Sequence, residues 1–389
     1  MIVEYPITRD RPKSDTFVIC IELIRMRQSN DDEINVSGQK LSTILGDPEQ
    51  SAKAVNLVYV HDTEAGISRV KSGKQFRYVT GTNKLVKDKA ILERIQNLHI
   101  PPAWRKVWIC KRENGHLQAT GLDAKKRKQY IYHSHWVALR KQAKFHSLIQ
   151  FGQAIPQIRA QLKKDLARQG LPVEKVLALV VNLMQHTSIR VGNAVYEKLN
   201  GSFGLTTLKD KHATTSGNKL KFIFQGKKGI QHEISITNKR LIRMVKACRD
   251  IPGKELFQYY TPDGMIKSID SGMVNTYIKE ISGGTITAKD FRTWSGTVLA
   301  FLAFKEAGNF ETPKEAKQKI ESVIDVVAEH LGNTRNVCKK YYIHPALISM
   351  YEEGTLASYF SKYKKGGRKV DAFDVERGEE MVLKILEAL

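Results

Sequence analysis

The sequence predicts an α+β protein: a small β-rich N-terminal domain, then a larger, mainly α-helical domain that carries one β-hairpin. Three observations lead there. Short β-branched and aromatic runs separated by turn residues recur from about residue 56 to residue 136. Beyond about residue 140 apolar residues recur at helical spacing. A single pair of alternating runs flanks Gly226-Lys227-Lys228-Gly229 inside that helical part. At 389 residues there is room for two or three domains.

Residues 1–52 hold no sustained period and are read as an N-terminal extension of uncertain order. The β-rich domain, 53–140, has strand patterns at 58–61, 74–79 and 107–111, with Asn114-Gly115 as a hairpin signal. One helix interrupts them. Asp88 precedes Ile91, Leu92, Ile95 and Leu98 at helical spacing, and Pro101-Pro102 stops the pattern. Residues 128–133 then alternate, which puts Tyr130 and Tyr132 on one face and Gln129 and Ile131 on the other.

In the helical domain, 141–389, Gly170 closes one helix and Pro172 opens the next, whose Val173, Val176, Leu177, Val180, Val181 and Met184 predict an apolar stripe. Leu220, Phe222 and Phe224 alternate before the Gly226–Gly229 turn, and Ile230, His232, Ile234 and Ile236 alternate after it, so Lys227 is expected at a hairpin tip. Thr287 with Asp290, and Thr312 with Pro313 and Glu315, mark two helix starts; Gly332 ends the second helix. Residues 334–342 have helical character up to a break at Pro345. A basic linker at 362–369 leads to a final amphipathic helix that ends at Leu389.

Charge is the unusual feature of the composition. Lys and Arg number 63 against 40 Asp and Glu, a net charge of +23, which attracts a polyanion and gains from counterion release when phosphates are neutralised. No apolar run approaches the roughly 18 residues that span a bilayer, and no apolar signal core follows Met1. Cys20, Cys110, Cys248 and Cys338 are scattered, with no metal-ligand spacing, so reduced thiols and no metal are expected. The densest basic stretch is Lys125-Lys126-Arg127-Lys128 ahead of Gln129, Tyr130 and Tyr132. Cations there suit phosphates, and Gln suits an adenine edge.

Five blocks in order resemble the type IB DNA topoisomerases of the small bacterial and poxvirus-like branch. Arg127-Lys128-Gln129-Tyr130-Ile131-Tyr132 looks like the GRKQYxY element, with Lys126 where the family usually has Gly. Ile189-Arg190-Val191-Gly192-Asn193 with Gly204-Leu205-Thr206-Thr207-Leu208 is similar to IRxGN…GLTTL. Gly226-Lys227 matches the hairpin lysine, and Lys289-Asp290-Phe291-Arg292-Thr293 matches KDxRT. Gly332-Asn333-Thr334 and Lys340-Tyr341-Tyr342-Ile343-His344-Pro345 resemble the end of the active site. The resemblance extends from about residue 53 to the C-terminus.

The resemblance implies a C-shaped clamp around duplex DNA, formed by the two domains joined near 136–142. It implies relaxation of negative and positive supercoils by single-strand cleavage through a 3′-phosphotyrosyl intermediate, strand swivelling and religation, with no ATP, metal or other cofactor. It assigns Tyr342 as nucleophile, Arg190, Arg292 and Asn333 to the phosphate, and Lys227 as general acid. Arg127, Gln129, Tyr130, Tyr132, Tyr196 and Lys289 become DNA contacts. The partner is double-stranded DNA, the state a monomer, and the place the cytoplasm at the bacterial nucleoid.

The chemistry asks for these residue types on its own terms. Transfer of a phosphodiester to a phenol needs a nucleophile, cations at the non-bridging oxygens and a proton for the departing sugar oxygen. Arginine forks match phosphate geometry, and a phenol with a pKa near 10 needs cations beside it. Asn333 stands where the poxvirus-like relatives have His; an amide still donates a hydrogen bond but adds no charge. From the residues alone Tyr341 competes with Tyr342, and motif register favours Tyr342. Two other readings compete: a tyrosine recombinase, which usually shows HxxR where this chain has Lys289-Asp290-Phe291-Arg292, and a non-catalytic basic DNA-binding protein.

Overall fold

The computed structural model describes residues 47–362 and 372–389, apart from Lys74 and Thr285. Positions 1–46 of the expected extension and 363–369 of the expected linker lie outside the described residues. Two compact units divide between His146 and Ser147.

Among the described residues the first unit begins with α1 (Pro48–Lys53), capped by Asp47. Strands β1 (Ile67–Ser72) and β2 (Gln75–Thr80), helix α2 (Lys89–Asn97), and strands β3 (Arg105–Ile109), β4 (Leu117–Leu122) and β5 (Lys128–Tyr132) follow. The strands form one antiparallel sheet in the order β2-β1-β3-β4-β5. Helix α2 starts where the sequence places it: the Asp88 carboxylate accepts from the Ala90 and Ile91 N–H groups at 2.8 and 3.2 Å. Its Ile95 is buried with Ile67, Val107, Ile109 and Ala119, so the helix covers one face of the sheet.

The strand expected at 58–61 does not form. Only an isolated parallel bridge joins Val58 to Gly115. The backbone groups there go elsewhere: Val58 N–H donates to Asn114 O at 2.9 Å and Val60 N–H to His116 Nδ1 at 3.1 Å, which leaves no ladder to extend. The β4–β5 turn explains a departure in the sequence. Lys126 has φ +58, a left-handed conformation that glycine takes freely and that costs another residue roughly 1–2 kcal/mol.

Helix α3 (Ser134–Asp165) contains the division between the units and carries Pro156 in its interior. Trp136, Leu139 and Ala143 near its start join Ala52, Val55 and Leu57 in a core cluster of the first unit. In the second unit α4 (Val173–Thr187) is buried all round rather than along one stripe, with Val176 through Val181, Leu183 and Met184 inside. Such a helix is a central one, and other elements assemble on it.

After α5 (Ala194–Asn200) comes a three-stranded antiparallel sheet of β6 (Ala213–Ser216), β7 (Lys219–Gln225) and β8 (Gln231–Ile236). β7 and β8 are the predicted hairpin, with Leu220 opposite Ile236, Phe222 opposite Ile234 and Phe224 opposite His232; β6 adds an unforeseen edge strand. Helix α6 (Lys239–Arg249), the short ribbon of β9 (Gln258–Tyr260) and β10 (Ile266–Ser268), and α7 (Ser271–Ser282) lead to α8 (Ala288–Ala307). Helix α8 packs against α4 and against three later helices: α9 (Pro313–Leu331), α11 (Pro345–Glu352), which follows α10 (Arg335–Tyr341), and, after α12 (Ala357–Lys362), the terminal α13 (Ala372–Glu387). Phe291 and Trp294 of α8 are core residues, each in ring contact with Phe151. Pro345 opens α11 at its first turn, where its missing N–H costs nothing.

Leu183 of α4 is fully buried. Leu183→Ala is expected to lower unfolding free energy by about 2–5 kcal/mol, read as a shifted midpoint in urea melts; a loss under 1 kcal/mol would show that α4 is not the centre of the core.

Candidate active site

Helix α4 ends at Ser188, whose left-handed backbone (φ 54) turns the chain toward Arg190. The segment that follows is clasped by a second one. Arg190 O accepts from Leu205 N–H at 2.9 Å, and Val191 O accepts from the N–H and hydroxyl of Thr206 at 2.7 and 2.9 Å. Two glycines let the strands of this clasp touch: a Cβ on Gly204 would lie 2.5 Å from Gly192 N and 2.6 Å from Arg190 O. The Ile189–Asn193 and Gly204–Leu208 blocks are thus two halves of one device that fixes the Arg190 backbone.

Arg292 lies one turn into α8, whose start is held by the Asp290 carboxylate accepting from the Thr287 N–H and hydroxyl, both at 2.8 Å. Its side chain is 5 % exposed. One terminal nitrogen donates to Ser188 O, the other to Leu331 O at 2.7 Å; Nε is buried without a partner. The guanidinium therefore bridges the end of α4 and the end of α9.

Tyr342 closes α10 and is seated from the same helix α8. Thr297 donates its hydroxyl to Tyr342 O at 3.2 Å. A Cβ on Gly296 would meet that oxygen at 2.8 Å, so glycine is what allows the close approach. The Tyr342 ring centroid is 5.4 Å from Arg292 Cζ. Tyr341, by contrast, is 45 % exposed, with Lys340 Nζ 5.4 Å from its ring. Of the two tyrosines, Tyr342 faces the arginines.

Asn333 follows the left-handed Gly332 that ends α9. Its Oδ1 accepts from Arg190 Nη2 at 2.8 Å, and its Nδ2 is buried without a partner. Burial pushes the Tyr342 phenol up, but Arg292, Arg190 and Lys289 more than offset it and leave the group below the usual phenol range. Burial lowers both arginines, which also repel one another at Arg292. Arg190, Arg292, Asn333 and Tyr342 form one cluster. Lys227 is exposed at the hairpin tip, with no hydrogen bond or ion pair to the other described residues.

Residues 127–366 match the family model described as eukaryotic DNA topoisomerase I, catalytic core, and residues 75–123 match bacterial DNA topoisomerase IB, N-terminal domain. The chain is 31 % identical to DNA topoisomerase 1B of Acanthamoeba polyphaga mimivirus, over 77 % of this chain and 90 % of the viral protein. It is 24 % identical to DNA topoisomerase 1B of Vaccinia virus (strain Copenhagen), over 75 % of this chain and 92 % of that protein.

The chain belongs to the type IB DNA topoisomerases.

In this topoisomerase the strand singled out for DNA contact is already partnered. Arg127 Nε and Nη2 reach Asp123 Oδ2 at 2.8 and 2.7 Å, and Gln129 Nε2 donates to the same oxygen at 3.0 Å. Lys128 pairs with Asp62. Tyr130 and Tyr132 stack at 5.9 Å between centroids with exposed faces. Tyr196 is exposed on α5, and Lys289 on α8.

Two histidines beside the cluster were not foreseen. His330 Nε2 lies 3.1 Å from Ser188 Oγ, which is 2.8 Å from Ser295 Oγ, so the segments that hold Arg292 are tied to each other. His232 fits between Gly226 and Gly332. The only sequence signal for either was a polar residue at an inward position: His232 in the alternation of β8, His330 one residue before the end of α9.

Burial pulls His232 and His330 down to about 4, helped by Arg190 and Arg292 at the first and Arg292 at the second; burial does the same to His186, with Arg159. The unfolded chain binds protons near the ordinary 6.5, the folded chain only near 4, so this stability is complete above pH 6.5 and drains away as pH falls toward 4. Each imidazole contributes on the order of 1 kcal/mol to the loss at pH 5. Melting temperature is expected to drop steadily from pH 7 to pH 5, less so in His186→Gln; a flat profile would contradict neutral burial.

Proposed function

We propose that this topoisomerase relaxes negative and positive supercoils by cutting one strand with Tyr342, holding the 3′ phosphate as a phosphotyrosine, and resealing after the strand swivels. The observation that carries the proposal is a pair of buried donors without partners, Arg292 Nε and Asn333 Nδ2. Both belong to a cluster in which Arg292 sits against the Tyr342 ring and Asn333 is bonded to Arg190. A buried orphan donor costs about 1–3 kcal/mol. Such a cost is tolerated where a ligand oxygen arrives to accept, and a non-bridging phosphate oxygen is the acceptor this reading supplies.

In the proposed step the Tyr342 oxygen attacks phosphorus while the bond to the 5′ oxygen breaks. The phenol gives its proton to solvent, and Lys227 gives one to the departing 5′ oxygen. Arg190, Arg292 and Asn333 face the charge that gathers on the non-bridging oxygens. Lys289, whose charge already lowers the phenol, adds attraction for the scissile phosphate. One ester replaces another, so the strand can be resealed by the reverse step without ATP.

The exposed position of Lys227 on a turn suits a group that meets its substrate only when DNA is bound. Arg127, Gln129, Tyr130 and Tyr132 are read as duplex contacts of the 53–140 domain, and Tyr196 as one of the 141–389 domain. The same reading extends to a C-shaped clamp of the two domains and to a monomer acting at the nucleoid.

Relaxation of negatively and positively supercoiled plasmid is expected in EDTA without nucleotide. Tyr342→Phe should bind DNA as tightly as wild type yet leave no covalent adduct in detergent. Asn333→Ala should slow cleavage by about a hundredfold to a thousandfold, and Asn333→His should retain relaxation. A requirement for Mg²⁺ or ATP, or an adduct formed by Tyr342→Phe, would overturn the assignment.

A further inference from the structure

The imidazole of His232 is a wedge between two backbone positions that flank the chemistry. A Cβ on Gly226 would lie 2.5 Å from His232 Cδ2 and 2.6 Å from its Nε2. A Cβ on Gly332 would lie 2.3 Å from His232 Cε1 and 3.0 Å from Nε2. Gly226 immediately precedes Lys227, and Gly332 immediately precedes Asn333. The ring is supported from behind by Phe224, its cross-strand neighbour, stacked at 5.1 Å with planes 16° apart. One flat side chain therefore touches the base of the lysine hairpin and the loop that carries the amide. The hairpin closes there too, with Gly226 N–H donating to Ile230 O at 2.7 Å.

From this geometry we infer that His232 is a positioning residue: it fixes the Gly226–Gly229 tip against the Gly332–Asn333 loop, so that Lys227 delivers its proton to the phosphate held by Arg190, Arg292 and Asn333. The inference rests on the reading of Lys227 as general acid. An exposed lysine on a short turn has many conformers, and placing its ammonium within reach of one oxygen requires a rigid base. The tip itself supplies little rigidity, since Lys228 is left-handed (φ 65) and the tip is exposed. Contact with the ring is what ties the base to the site. Misplacing a catalytic group by about 1 Å costs on the order of a hundredfold in rate, so a loosened wedge has a measurable effect on the proton step and a small one on phosphate binding.

A substrate with sulfur in place of the bridging 5′ oxygen separates these effects, because a thiolate leaves without being protonated. Single-turnover cleavage of the oxygen and sulfur substrates is compared for wild type, Lys227→Ala, His232→Ala and Gly226→Ala. Gly226 has φ −93 and ψ −164, which alanine adopts without strain, so its methyl group acts by displacing the ring. Both wedge variants are expected to cleave the oxygen substrate about tenfold to a hundredfold more slowly than wild type, and the sulfur substrate within about threefold of it. Lys227→Ala should show the same rescue more strongly. If Lys227→Ala is slow on both substrates, the general-acid reading fails. If Lys227→Ala is rescued by sulfur but both wedge variants are equally slow on the two substrates, or not slowed at all, His232 has no positioning role. Should His232→Ala lose its cooperative melt, Gly226→Ala decides by the same comparison.

Discussion

The site depends on how one buried guanidinium is held. Arg292 leaves water almost completely and is met by two backbone carbonyls, Ser188 O and Leu331 O, not by a carboxylate. A charge so placed is expensive to bury, and carbonyl dipoles partner its two terminal nitrogens without cancelling its charge, while Nε stays unpartnered. The positive field therefore stays available. Arg190 adds a second charge beside it, which together with burial depresses Arg292. The arrangement is poised for an anion, and the groups that meet it need no reorganisation when it comes. The same field acts on Tyr342, whose phenol would otherwise be raised by burial.

Around this guanidinium the backbone comes closer than side chains permit. Gly192 meets Gly204 to set Arg190, Gly296 makes room for the Tyr342 carbonyl, and Gly332 meets the His232 ring. Helix α8 contributes both Arg292 and, one turn later, the glycine that seats Tyr342. Since residues four apart share a helix face, the arginine and the tyrosine backbone are held by one rigid element. Their mutual distance therefore depends little on loops.

The strand β5 follows a different rule. Its cations are exposed, and Asp123 and Asp62 partly occupy them. Exposed pairs of this kind are worth little, so the carboxylates hold these cations only weakly. The Asp123 oxygen also keeps Arg127 and Gln129 side by side.

The sequence determined by itself whatever depends on local period and capping. Asp88, Thr287 with Asp290, Thr312 and Gly332 mark helix ends where the structure has them, because a cap is satisfied by atoms within a few residues. The β7–β8 hairpin was legible for the same reason, and the chemical identity of the site lay in short motifs whose order is one-dimensional. Tertiary structure alone decided what needs partners distant in the chain. Segment 58–61 looked like a strand until Asn114 and His116 took its hydrogen bonds. The pattern of α4 read as a stripe because the burial of its remaining faces comes from elements elsewhere in the chain. Tyr341 and Tyr342 are adjacent phenols, and only the placement of α8 turns the second toward the arginines. His232 and His330 carried no motif at all; their roles arise from contacts with Gly226, Gly332 and Ser188, which no local pattern encodes.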